Sequence, residues 1–166
     1  IQDGVTLREE MGVSEDTVVF ADSGGFDFSN GEVDTTPERT LETQREIGAD
    51  MLGTVDVPIL RENRDAENQR RIEQSTAYAL EASDRHDGEG LLIASVHGHD
   101  PETVQNTLQY LECHGDFDGY ALGSMVPLRT DYKKVTKLII SARQATDKHL
   151  HVYGLGGIVY QPLLLY

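Results

Sequence analysis

The 166-residue chain holds one cysteine (Cys113), five prolines and only four lysines: Lys133, Lys134, Lys137 and Lys148. A single cysteine excludes an internal disulfide and fits a reducing compartment. No apolar run approaches the ~20 residues of a membrane span. The opening IQDGVTLREE has neither the basic nor the apolar stretch of a signal peptide. A cytoplasmic protein with no membrane partner is the expectation. Linkers, low-complexity tracts and sequence repeats are also missing, so residues 1–166 read as one domain. Its 38% hydrophobic content is modest but enough for a core at this length.

What the chain has in excess is acid. Twenty-nine Asp and Glu against fourteen Lys and Arg give a net charge of −15, and the acids are spread along the whole sequence. Such a surface repels nucleic acid at low salt. One reading is a halophilic protein with an acidic surface, working where salt shortens the Debye length to ~3 Å. The other is an ordinary acidic enzyme.

Apolar strings alternate with amphipathic ones. Strands are predicted in TVVFADS (17–23), DMLGTVDVPI (50–59), GLLIASVHG (90–98), FDGYALGS (117–124) and HLHVYGLGG (149–157). Helices are predicted between them. TPERTLETQREIGA (36–49) has Thr36 or Thr35 as cap, Pro37 in the first turn and Gly48 at the end. RDAENQRRIEQSTAYALEAS (64–83) is polar, with Ile72, Tyr78, Ala79 and Ala82 on its apolar side. DPETVQNTLQYLECHG (100–115) has Asp100 as N-cap, Pro101 at the first position and Thr103 near the third. TDYKKVTKLIISARQATD (130–147) is the fourth helix, and IVYQPLLLY (158–166) reads as the start of another. Strands alternating with helices pair in parallel through right-handed crossovers. The fold class is α/β, either a doubly wound sheet or part of a (β/α)₈ barrel. A whole barrel needs ~250 residues, so this one is incomplete. Ile1 and the apolar QPLLLY at the other end read as cuts in a longer chain.

In both architectures the carboxyl ends of the strands form the binding face. Those ends carry Asp22, Gly24, Gly25 and Phe26; Asp56; His97 and Gly98; Gly119, Gly123 and Ser124; and Tyr153, Gly154 and Gly156. Two acids, an imidazole, two aromatics and many glycines converge on one rim. Carboxylates accept N–H hydrogen bonds, glycines admit close approach and aromatic faces stack. The set suits a flat heterocycle with N–H groups along one edge, a nucleobase. Plainer readings stand beside this one: Asp22 and Asp56 as helix caps, His97 as a satisfied structural histidine, Tyr153 as core. His149 and His151 alternate on a strand, but nothing has metal-ligand spacing. GLGG lacks the GxGxxG order, and Ser23 is in no GxSxG elbow.

Four strings in register resemble the tRNA-guanine transglycosylase family, its archaeal archaeosine-forming branch above all. They are DSGGF (22–26), NGEVDTTPERTLETQREIGADMLGTVDVP (30–58), DFDGYALGSMVPL (116–128) and HVYGLGG (151–157). The resemblance implies a (β/α)₈ barrel, of which this chain covers about the second to sixth strands. It implies an enzyme of queuosine- or archaeosine-type tRNA processing, a pentosyltransferase that exchanges guanine in tRNA for a 7-deazaguanine such as preQ0. Asp22 then takes the acid–base position, Phe26 and Tyr153 sandwich the base, and Asp56 reads its N1–H and amino edge. Gly123 and Ser124 take the positions of two glycines beside the base carbonyl. The nucleophilic aspartate and the zinc ligands fall beyond Tyr166, so no cofactor is expected in this chain. A homodimer is compatible with the family pattern.

Two positions depart from that pattern: His97 stands where the family usually has Gln, and Ser124 replaces a glycine. A neutral imidazole still donates one hydrogen bond and accepts one. The departures leave open a related enzyme that modifies DNA. A non-catalytic partner subunit of the same fold is the alternative from another class, against which the retention of Asp22, Asp56, Phe26 and Tyr153 argues. An unrelated barrel binding a small acid or sugar phosphate is the third. The halophilic reading carries a test: circular dichroism should show structure lost in dilute buffer and regained near molar salt, whereas salt-indifferent stability removes that reading.

Overall fold

A computed structural model describes residues 7–25 and 32–156. Phe26 and the predicted final helix over 158–166 lie outside the described residues. A one-turn helix, α1 (Leu7–Glu10), precedes five strands: β1 (Phe20–Ala21), β2 (Met51–Gly53), β3 (Leu91–Val96), β4 (Gly119–Leu122) and β5 (His149–Val152). Between them run α2 (Pro37–Glu46), α3 (Asp65–Arg85), α4 (Pro101–His114) and α5 (Tyr132–Ala145), with a 3₁₀ turn at Val126–Leu128 after β4.

The sheet is wholly parallel and its spatial order equals its sequence order, β1-β2-β3-β4-β5. A doubly wound sheet reverses direction at a switch point; this one does not. It also curls. Four strand spacings of a flat sheet place the first and fifth strands about 19 Å apart. Yet Phe20 on β1 and His151 on β5 are edge-to-face at 5.0 Å between ring centroids. Tyr153, just past β5, lies nearly parallel to Phe20 at 6.0 Å. The chain is an incomplete α/β barrel of the TIM type, and these rings fill its interior.

The outer face of the sheet meets the helices in an apolar core. Leu52, Leu92, Ala94, Val96, Tyr120 and Leu122 come from the strands. Val104, Leu108 and Leu111 from α4 and Val135, Leu138 and Ala142 from α5 meet them, each set at the three-and-four spacing that keeps one helical face inward. The expected caps are in place: the Thr36 hydroxyl accepts from Arg39 N–H at 3.2 Å, and Asp100 Oδ1 accepts from Thr103 N–H at 2.9 Å.

Two strands are shorter than their sequence strings. β1 pairs with one neighbour among the described residues, and Val18 is 65% exposed, so the start of TVVFADS never joins the ladder. Beyond Thr54, which still bonds β3, the chain leaves the sheet and residues 57–60 lie against α3. The buried stripe of α3 is polar at its N-terminal end, with Asn68, Arg71 and Ser75 ahead of Ala79 and Ala82, and these polar groups hold the departing segment.

Candidate functional site

The strand ladder runs past the strands and fixes the rim. Thr54 N–H donates to Ile93 O at 3.0 Å, Gly123 N–H to Val96 O at 2.9 Å, and Tyr153 N–H to Leu122 O at 3.0 Å. Gln44 of α2 ties the first two strands together at the same level, donating to Ala21 O at 3.0 Å and Gly53 O at 2.8 Å. The segment carrying Asp56 is gripped at every residue after it. Val57 N–H donates to Ser75 Oγ at 2.8 Å, and Arg71 donates to Pro58 O at 2.8 Å. Ile59 N–H donates to Ser124 Oγ at 2.9 Å. Asn68 pairs with both backbone groups of Leu60, at 2.9 and 3.1 Å, as a strand would.

Asp56 is thereby pinned with only 5% of its surface exposed. A buried carboxylate needs donors. Ser23 Oγ donates to its Oδ1 at 3.1 Å, and His97 Nε2 lies 2.8 Å from its Oδ2, a bent approach with the oxygen off the ring N–H axis. On the other side of the ring, His97 Nδ1 is 2.9 Å from Ser124 Oγ. His97 itself is 1% exposed. It supports Asp56 from beneath rather than lining the cavity.

A cavity of about 310 Å³ opens above, near the lower end of the ~300–1,000 Å³ range of small-ligand sites. Asp22, Asp56, Gly123, Ser124 and Tyr153 all line it, with Ile59, Met125 and Val126 as apolar wall. The structure thus brings together every described residue predicted for the site except His97, which stands one layer below. Neither acid caps a helix: Thr36 caps α2, and α3 begins after Arg64. Two of the rim glycines clear space for protein groups. A Cβ on Gly25 would strike the Asp56 carboxylate, and one on Gly123 would strike the His97 ring. The sequence reading missed the polar supports Gln44, Asn68, Arg71 and Ser75. A polar residue at a core position of an otherwise apolar helical stripe is the signal that points to them.

Charge at the rim is shared unequally. Burial, then the neighbouring Asp56 charge, raises the Asp22 carboxyl above the ordinary aspartate range, against the Ser23 N–H that donates to its Oδ1 at 2.7 Å. Burial and the Asp22 charge push the Tyr153 phenol up, so it stays neutral and keeps its proton. Its hydroxyl is buried with no aligned hydrogen-bond partner among the described residues. Asp22 is open to solvent on one side, whereas Asp56 is buried and accepts from Ser23 Oγ.

The family described as queuine tRNA-ribosyltransferase matches residues 4–165. The chain belongs to that family. It is similar to the tRNA-guanine(15) transglycosylase of Haloferax volcanii, 30% identical over 90% of this chain and 31% of the relative. The enzyme of the same name from Methanococcus aeolicus is 28% identical over 90% of this chain and 25% of the relative. That from Haloarcula marismortui is 28% identical over 85% and 30%. The chain therefore spans about a quarter to a third of the length of these curated relatives.

The shifted Asp22 yields a prediction. An acid whose folded pKa is raised adds stability below its unfolded pKa, and this is lost as pH rises through the folded value. Because Asp22 is partly exposed, the effect stays below about 1 kcal/mol. A carboxyl-carbon NMR titration should show Asp22 ionising above the usual ~3.9, and Asp56→Asn should bring it down. An Asp22 midpoint that ignores Asp56→Asn contradicts the shared cavity.

Proposed function

We propose that the rim cavity is the base-recognition site of a base-exchanging tRNA-ribosyltransferase that replaces guanine with a 7-deazaguanine. The observation that carries this is the placement of Asp22, Asp56 and Tyr153, from three separate strand ends, around one small cavity. A guanine edge presents N1–H and the 2-amino group side by side, and one ionised carboxylate accepts both. Adenine offers a lone pair at N1 instead, leaving a buried acceptor unpaired. Such mismatches cost on the order of 10⁴-fold in discrimination. In 7-deazaguanines with a substituent such as the nitrile of preQ0, this edge is unchanged, so Asp56 accepts the incoming base as it accepts the outgoing one.

The neutral Tyr153 supplies one face of the base sandwich, with Phe26 assigned to the other. Asp22 takes the acid–base role, since a carboxyl with a raised pKa at a solvent-open rim can give a proton to the departing base and take one from the arriving base. In the exchange the ribose C1′–N9 bond breaks as a carboxylate oxygen bonds C1′, and the reverse step joins C1′ to the new base. The family resemblance puts that nucleophile outside these 166 residues. The target nucleotide leaves its stack to reach the rim, at a typical cost of a few kcal/mol.

The polymer is assigned as tRNA, the substrate printed in the names of the relatives. A strongly acidic protein needs local positive charge to hold a polyanion. A second hollow of about 260 Å³ shares Ile59, Leu60, Ser124 and Pro127 with the first and is lined by Arg61, His99 and Lys134. It offers backbone phosphates a place beside the base.

Asp56→Ala is expected to abolish guanine and preQ0 binding in calorimetry, a loss of 100-fold or more on the order of an unmade charged hydrogen bond pair, with circular dichroism unchanged. Unaltered affinity rejects the site. Labelled guanine should enter tRNA and not DNA when each is offered separately, and incorporation into DNA alone overturns the tRNA assignment.

A further inference from the structure

The two positions that depart from the family strings, His97 and Ser124, touch each other: His97 Nδ1 and Ser124 Oγ are 2.9 Å apart. Ser124 is also the one non-glycine among the described residues with a positive φ, 59°. An L-residue in the left-handed region is strained where glycine is not, and such strain persists where the surroundings over-determine it. Here the hydroxyl answers two partners. It accepts from Ile59 N–H at 2.9 Å and meets the imidazole on its other side.

The arrangement inferred here has the ring hydrogen on Nε2, facing the Asp56 oxygen 2.8 Å away. Nδ1 is then the acceptor, and the Ser124 O–H donates to it at 2.9 Å. The Ser124 oxygen keeps a lone pair for Ile59 N–H. The line then runs from Ile59 N–H to Ser124 Oγ and from Ser124 O–H to His97 Nδ1, and ends with Nε2 facing Asp56. The last contact is bent, so the ring is not held by Asp56 alone.

We propose that Ser124 is a positioning residue that acts through His97: its hydroxyl fixes the imidazole tautomer and ring angle, and thereby the orientation in which Asp56 presents its free lone pairs to the base. Among the described residues, the groups that face Asp56 include Ser23, His97, the Asp22 carboxyl and Tyr153, and His97 is the one that can exchange neutral tautomers.

The inference rests on the base-pocket reading, and two readouts keep their failures apart. Nitrogen-15 NMR of the histidine rings should show His97 neutral and protonated on Nε2. Ser124→Ala should move the Nδ1 signal toward that of a free imidazole nitrogen or mix the tautomers. Protonation on Nδ1 in the unmodified protein, or signals indifferent to Ser124→Ala, overturns the proposal. In calorimetry with guanine, Ser124→Ala should weaken binding on the order of tenfold, about 1.4 kcal/mol. Whatever affinity His97→Gln leaves, Ser124→Ala added to it should cost nothing further. An equal loss in both backgrounds means that Ser124 acts on the base directly or through Ile59 N–H, and either overturns the role through His97, as does unchanged affinity. Ser124→Gly, which removes the strain with the hydroxyl, replaces Ser124→Ala if that variant unfolds. If guanine fails to bind the unmodified protein, the base-pocket reading falls and the tautomer result decides the proposal by itself.

Discussion

A carboxylate taken out of water has to be met by donors, and the arrangement around Asp56 is built by that requirement. Ser23 comes to it from the end of β1 and His97 from the end of β3, while its own backbone leaves β2 under the grip of Asn68, Arg71, Ser75 and Ser124. Four separate elements converge because the sheet is parallel, singly ordered and curled. Each strand then delivers its C-terminal residues to one mouth, and the contact of Phe20 with His151 across the sheet closes the curl from within. The cavity is the space those fixed groups leave.

The same curl gives the two acids different surroundings. Asp56 is surrounded and its lone pairs are directed. Asp22 keeps a side open to solvent while sitting close enough to feel the Asp56 charge, which holds its proton on more tightly. Two carboxylates with different surroundings are how one site can both read a base edge and move a proton. The neutral Tyr153 between them adds a flat surface without adding charge.

Much of this was legible in the string. Strand–helix alternation gave the parallel order, Thr36 and Asp100 marked helix starts that the structure places at those residues, and the strand-end positions of Asp22, Asp56, Ser124 and Tyr153 foretold that they would share a face. What stayed hidden depends on three-dimensional contact. Apolar periodicity passes over Asn68, Arg71 and Ser75, because their hydrogen bonds to residues 57–60 are visible only once the loop has folded against α3. The burial of His97 beneath the floor follows from the tight approach of Gly123, which no spacing rule reveals. The net charge of −15 made a polyanionic partner look unfavourable; Arg61 and Lys134 gather beside the cavity, with Asp65 in the same hollow, only in three dimensions.

The central claim is that Asp22 and Asp56 face one flat guest. A crystal structure of the protein soaked with guanine tests it most directly. The account predicts the base within the cavity, its N1–H and 2-amino group within hydrogen-bond reach of Asp56 and its ring over Tyr153. Guanine bound elsewhere, or an empty cavity with the two carboxylates turned to different faces of the sheet, contradicts it.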